Sequence, residues 1–150
     1  MKKLWILAVT AVLLLSYHAF GFSEIKWFPL KEGMEKANAE NKPMIVDFFF
    51  GKGCPRCEAL QKGVYDNPTI AKKIMDDFIP IRVDLTKKKL SPEEEKLGNL
   101  YDFKHDCLLL FLDPQGGIIK DPSGKKLCFV ENVEPDWFVK YLDMVRQQPK

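Results

Sequence analysis

The stretch Met44-Ile45-Val46-Asp47-Phe48-Phe49-Phe50, followed by Gly51-Lys52-Gly53 and Cys54-Pro55-Arg56-Cys57, decides how this chain is read. The run from Met44 to Phe50 is too short for a helix and rich in β-formers, so it predicts a strand buried on both faces. The three aromatics Phe48, Phe49 and Phe50 are expected in the core. The glycine-flanked loop then delivers Cys54 to a helix start, where Pro55 suits the first turn. A Cys-x-x-Cys that leaves a buried strand and opens a helix is the arrangement of a dithiol–disulfide couple. The unpaired N–H groups of the helix start favour a thiolate on Cys54, and Arg56 adds a full positive charge. Cys54 is therefore the expected attacking thiolate, and Cys57, one turn further in, the resolving thiol. Half a zinc site is the rival use of such a pair, but the chain has no second Cys-x-x-Cys. A purely structural disulfide is the other, and so short a loop gives little entropic stabilisation.

Working outward, Leu30, Met34 and Ala37 recur at helical spacing and predict a helix to about Asn41, stopped by Lys42-Pro43. Downstream, the cysteine helix runs through Leu60, breaks near Tyr65-Asp66-Asn67-Pro68 and restarts to Met75. Phe78 to Leu85 reads as a second strand. Lys87-Lys88-Lys89 reads as a solvated loop, and Ser91-Pro92-Glu93-Glu94 as a capped helix start. Leu108 to Leu112 is a third strand, turned by Asp113-Pro114-Gln115-Gly116-Gly117. A second turn at Asp121-Pro122-Ser123-Gly124 leads to a fourth strand over Lys126 to Val130, and Glu134-Pro135-Asp136 starts a final amphipathic helix. The order α, β, α, β, α, β, β, α predicts parallel pairing for strands separated by helices and an antiparallel hairpin for the last two. The expected fold class is α/β, with a mixed sheet of four strands, or five, and helices on both faces.

The chain has 150 residues, 46% hydrophobic and 29% charged, enough for one packed domain and too few for two of ordinary size. Its first 21 residues read as a signal peptide: basic Met1-Lys2-Lys3, an apolar run from Leu4 to Leu15, then a more polar stretch with small residues. An uncleaved anchor facing the periplasm is the alternative, the run being too short for a comfortable membrane span but not absurdly so. Residues 22–150 then form the domain. The 23 Lys and Arg against 21 Asp and Glu give a net charge of +2, and losing Lys2 and Lys3 with the leader leaves none. No basic patch remains to attract nucleic acid or a membrane surface. An exported chain meets an oxidising compartment, which gives the four cysteines their weight.

Lys42-Pro43-Met44-Ile45-Val46-Asp47-Phe48, the Cys-Pro-Arg-Cys motif, Asn67-Pro68 and Val83-Asp84 together resemble the thioredoxin-fold family. More narrowly, they are similar to the exported thioredoxin-like group that includes the C-terminal domain of the thiol:disulfide interchange protein DsbD. The likeness runs from about Trp27 to Leu142. It implies a thioredoxin fold and a redox-active disulfide between Cys54 and Cys57, with no cofactor. It also implies that Asp47 is the buried acid beneath the pair and accepts the proton of Cys57. An acid within an apolar strand is costly unless it has a task, which agrees with that role. The loop from Asp47 to Cys54 is one residue longer than the family's. Gly53 replaces the family's aromatic residue and leaves the rim of Cys54 open.

The larger departure precedes the third strand, where the family has a cis-proline that holds substrate backbone and discourages metal binding. Counting back from Phe111-Leu112-Asp113 puts Cys107 there, after His105-Asp106. A cis bond without proline costs about 3 kcal/mol, so the Asp106–Cys107 bond is expected to be trans, or cis under strain. Asp106 and Cys107 are the expected substrate-binding residues. Cys107 is otherwise a metal ligand with Cys54, Cys57 and His105 for copper, zinc or an iron–sulfur cluster, a third redox thiol, or an inert filler of the pocket. Cys128 falls in the expected fourth strand, facing the middle of the third rather than Cys107.

These residues predict a periplasmic thiol–disulfide oxidoreductase acting on other proteins, and the resemblance implies the reducing direction, with electrons from a membrane carrier. The chain is expected to be a monomer and to bind no nucleic acid. The alternatives are a copper- or cluster-binding thioredoxin-fold protein and a non-catalytic interaction domain.

Overall fold

The computed structural model describes residues 24–101, 109–127 and 134–147. Helix α1 spans Leu30–Glu40 and ends where Asn41 adopts the left-handed conformation at φ 51°. That geometry suits Asn and closes the helix before Pro43 extends the chain. Strand β1 follows at Met44–Phe49, with its first five residues buried. Helix α2 covers Pro55–Leu60 and continues directly into a π-helical turn, Gln61–Tyr65. Helix α3, Pro68–Asp77, starts at Asn67, whose Oδ1 accepts from the N–H groups of Thr69 at 3.0 Å and Ile70 at 3.3 Å. Strand β2 is Ile79–Asp84 and helix α4 is Pro92–Tyr101. Ser91 caps α4 reciprocally: its Oγ accepts from Glu94 N–H at 3.1 Å and its own N–H donates to Glu94 Oε2 at 2.7 Å. Strand β3 is Leu109–Leu112 and helix α5 is Pro135–Arg146.

The sheet order is β2-β1-β3. β1 and β2 run parallel, with Asp47 opposite Arg82, whereas β3 runs antiparallel to β1, with Asp47 opposite Leu109. The expected parallel sense for the third strand is thereby corrected. The connection from β2 to β3 exceeds the length of α4 by many residues, so the chain can return to either end of the sheet.

The sheet also has three strands among the described residues, not four or five. After β3, two Asp-Pro turns divide the chain. Asp113 Oδ1 accepts from the N–H groups of Gln115 and Gly117, and Asp121 Oδ1 from those of Ser123 and Lys125. What remains between them makes only single bridges, Leu112 with Ile118 and Lys120 with Lys126. Lys126 and Leu127 thus do not begin a strand, and the rest of that expected element, including Cys128, lies outside the described residues. On the opposite edge Phe28 makes a single parallel bridge to Ile81, donating to Pro80 O and accepting from Arg82 N–H.

Alternation along β1 sorts the core into two layers. Met44, Val46 and Phe48 join Leu30 and Ala37 of α1 and Leu97 of α4 on one face. Ile45 joins Leu60, Val64, Tyr65, Ile70, Ile74, Phe138 and Leu142 on the other. Helices cover both faces, as expected. Of the three aromatics ending the apolar run, only Phe48 is fully buried, and Phe50 is 42% exposed. Phe50 lies beyond the last strand residue, so pairing no longer holds it in the core.

Candidate active site: a disulfide at a helix start and a buried acid

The loop that joins β1 to α2 needs two glycines. Gly51 and Gly53 take φ of +94° and +89°, a region that side chains disfavour. Nothing lies near a Cβ built on Gly53, so its backbone angle, not lack of space, excludes the aromatic residue usual there. The loop sets Cys54 at the N-cap of α2 in extended conformation, with Pro55 following. Cys54 and Cys57 are disulfide-bonded, with Cα atoms 5.3 Å apart. The Cys57 N–H donates to Cys54 Sγ at 3.1 Å. Both cysteines are half-buried. A donor aimed at Cys54 Sγ favours negative charge on that sulfur once the bond is reduced.

Asp47 occupies β1 and is 6% exposed. By the alternation of the strand it shares the face of Ile45, which the segment beginning at Cys54 covers. Its two oxygens are held separately. Tyr65 O–H donates to Oδ1 at 3.1 Å, and Arg82 Nε donates to Oδ2 at 2.7 Å. Burial pushes the Asp47 carboxyl above its ordinary value, against the opposing pull of Arg82 and Tyr65. The same burial, and the carboxylate beside it, push the Tyr65 phenol well up.

Arg82 lies opposite Asp47 in the β2 register and is walled by aromatics, its guanidinium carbon 4.2 Å from the Trp27 ring centroid and 5.1 Å from that of Phe49. Trp27 is placed there by the Phe28 bridge and meets Tyr65 edge-on at 4.9 Å. A cavity of about 320 Å³ opens beside this cluster, lined by Trp27, Tyr65, Arg82, Gln61, Asp66 and Glu24.

The sequence singled out Cys54, Cys57 and Asp47, and missed Tyr65, Arg82 and Trp27. Arg82 had a signal: MIVDFFF carries one acid and FIPIRVDL one base inside an apolar strand, and adjacent strands can pair them. Tyr65 had none, because only the π-turn decides which way it faces. His105, Asp106 and Cys107 lie outside the described residues, and with them the expected substrate-binding pair and the alternative metal set. Among the described residues no three His, Cys, Asp or Glu are grouped to hold a metal ion. No helix there is long and apolar enough to cross a membrane.

The fold is shared widely. The structure superposes on a DsbH oxidoreductase with a TM-score of 0.60 at 16% identity, covering 84% of this chain and 87% of the other. It superposes on a thioredoxin from Thermus thermophilus with a TM-score of 0.61 at 21% identity, covering 83% and 89%. For the oxidised DsbD C-terminal domain of Neisseria meningitidis the TM-score is 0.57 at 21% identity, covering 79% and 97%. In sequence, 74 residues are 31% identical to an uncharacterised protein of Caenorhabditis elegans, a match over 49% of this chain and 10% of that protein. The chain thus spans about a tenth of that relative's length. Residues 26–114, which run from the Trp27 wall of the Asp47 cluster through the cysteine pair to the turn after β3, match the thioredoxin-like family. With the disulfide at the start of α2 and the sheet beneath it, this match shows that the chain belongs to the thioredoxin-like family.

Proposed function

We propose that this protein is a thiol–disulfide oxidoreductase that reduces disulfides of other proteins. The observation that carries the reading is the Cys54–Cys57 disulfide at the N-cap of α2, with the Cys57 N–H directed at Cys54 Sγ. In the reduced protein the Cys54 thiolate attacks a substrate disulfide. A Cys54–substrate bond forms, and one substrate sulfur leaves as a thiolate and takes a proton from water. Cys57 then gives its proton to Asp47 and attacks Cys54 Sγ, which re-forms the internal disulfide and releases the second substrate thiolate. The protein ends oxidised by two electrons and the substrate reduced by two. A dithiol carrier at the membrane restores the reduced pair.

Export to the periplasm is supported by the basic start and apolar run of residues 1–21. Cell fractionation with N-terminal sequencing tests it: periplasmic protein cut near Ala19 or Gly21 is expected, and cytoplasmic protein that keeps Met1 is contrary to it. Asp106 and Cys107 are proposed to border the substrate, and the protein to act as a monomer.

Reduction of insulin disulfides tests the activity. The wild-type protein accelerates chain separation by dithiothreitol, and Cys54→Ser does not exceed dithiothreitol alone. A potential below about −200 mV agrees with the reducing direction, whereas one near −120 mV would reassign the protein as an oxidant. A wild-type protein no faster than Cys54→Ser would overturn the reading.

A further inference from the structure

We propose, resting on the reading of Asp47 as proton acceptor for Cys57, that Tyr65 is a positioning residue of the dithiol site. Its hydroxyl, brought in by the π-turn that ends the cysteine helix, donates to Asp47 Oδ1 and holds the carboxylate in its proton-accepting form.

Three observations converge. First, the π-turn Gln61–Tyr65 is continuous with α2, and Tyr65, its last residue, is 5% exposed with its hydroxyl 3.1 Å from Oδ1. Such turns are rare and cost helix geometry, so their placement at the end of a cysteine helix has a local consequence. Here it sets the facing of Tyr65. Second, the bonds to Asp47 are divided: Arg82 serves Oδ2 and Tyr65 serves Oδ1. Without the hydroxyl, Oδ1 would lose the bond from Tyr65 while Asp47 stays buried. Third, the Tyr65 ring is fixed by the edge of Trp27, which itself stacks on Arg82, so one aromatic wall orients both donors.

The groups around Asp47 come from several elements. β2 contributes Arg82, the π-turn contributes Tyr65, and β3 places uncharged Leu109 opposite. Glu24 and Asp66 line the cavity that Tyr65 and Arg82 share. Of these, Tyr65 and Arg82 both favour the charged carboxylate, and burial opposes it.

The experiment is single-turnover oxidation of the reduced protein by a disulfide peptide over a range of pH, resolving formation of the mixed disulfide from release of the second thiol. Asp47→Asn slows release. Tyr65→Phe leaves formation unchanged and moves the acid midpoint of release upward by about one pH unit, the worth of a hydrogen bond to a charged group. A fluorotyrosine placed at position 65, a stronger donor of the same shape, moves that midpoint downward. Tyr65→Phe added to Asp47→Asn changes nothing further. If Asp47→Asn slows release but neither change at position 65 moves the midpoint, the role of Tyr65 is overturned and that of Asp47 stands. If Asp47→Asn leaves release unchanged, both fail.

Discussion

Asp47 is where the fold and the chemistry make opposite demands. A carboxylate at 6% exposure is held above its ordinary pKa of 3.8 by burial, with Arg82 and Tyr65 pulling the other way. Over the interval between that ordinary value and the raised one, the folded chain binds more protons than the unfolded chain. Stability therefore falls as pH rises through the interval, and the cost stays in force above it. Asp47→Asn removes the titration and keeps an oxygen for Arg82. Urea unfolding is expected to show Asp47→Asn gaining on the wild type as pH rises, with the difference closing on the acid side of 3.8. A difference that does not vary with pH would contradict the assignment. The acid was visible in the sequence because a single charge interrupts an apolar run. Its partners were less visible, because Arg82 requires the strand register and Tyr65 requires a helical irregularity that no local pattern announces.

Elements that begin with clear punctuation were readable in advance. Ser91-Pro92 and Asn67-Pro68 combine a capping side chain with a proline at the first helical position, and both open helices where expected. Asn67→Ala removes the acceptor of two N–H groups at the start of α3 and should cost about 1 kcal/mol in urea unfolding. Contact between elements is less readable. Gly33 in α1 lies so close to Ile81 of β2 that an added Cβ would collide with it. Gly33→Val should therefore cost about 2 kcal/mol or more, measured by the same unfolding experiment, as α1 is forced off the sheet. The sense of β3 and the lack of a fourth strand among the described residues have separate causes. Strand direction depends on which end of the sheet a long connection returns to, and paired Asp-Pro turns shorten the segments between them to single bridges.

In the whole molecule the sheet separates two apolar layers, one with α1 and α4 and the other with the cysteine segment, α3 and α5. Phe48 and Phe138 are fully buried in different layers. Phe48→Leu and Phe138→Leu should each cost about 1–2 kcal/mol. The double variant should equal their sum to within about 0.5 kcal/mol, since the two residues belong to separate clusters with the sheet between them. The central claim is that Cys54 attacks and Cys57 resolves, and mass spectrometry of a trapped intermediate tests it most directly. Reduced Cys57→Ser protein, mixed with a disulfide-linked peptide, should accumulate one peptide half bound to Cys54, while Cys54→Ser should accumulate none on Cys57. An adduct that forms on Cys57 in preference to Cys54, or no adduct in either variant, would contradict the account.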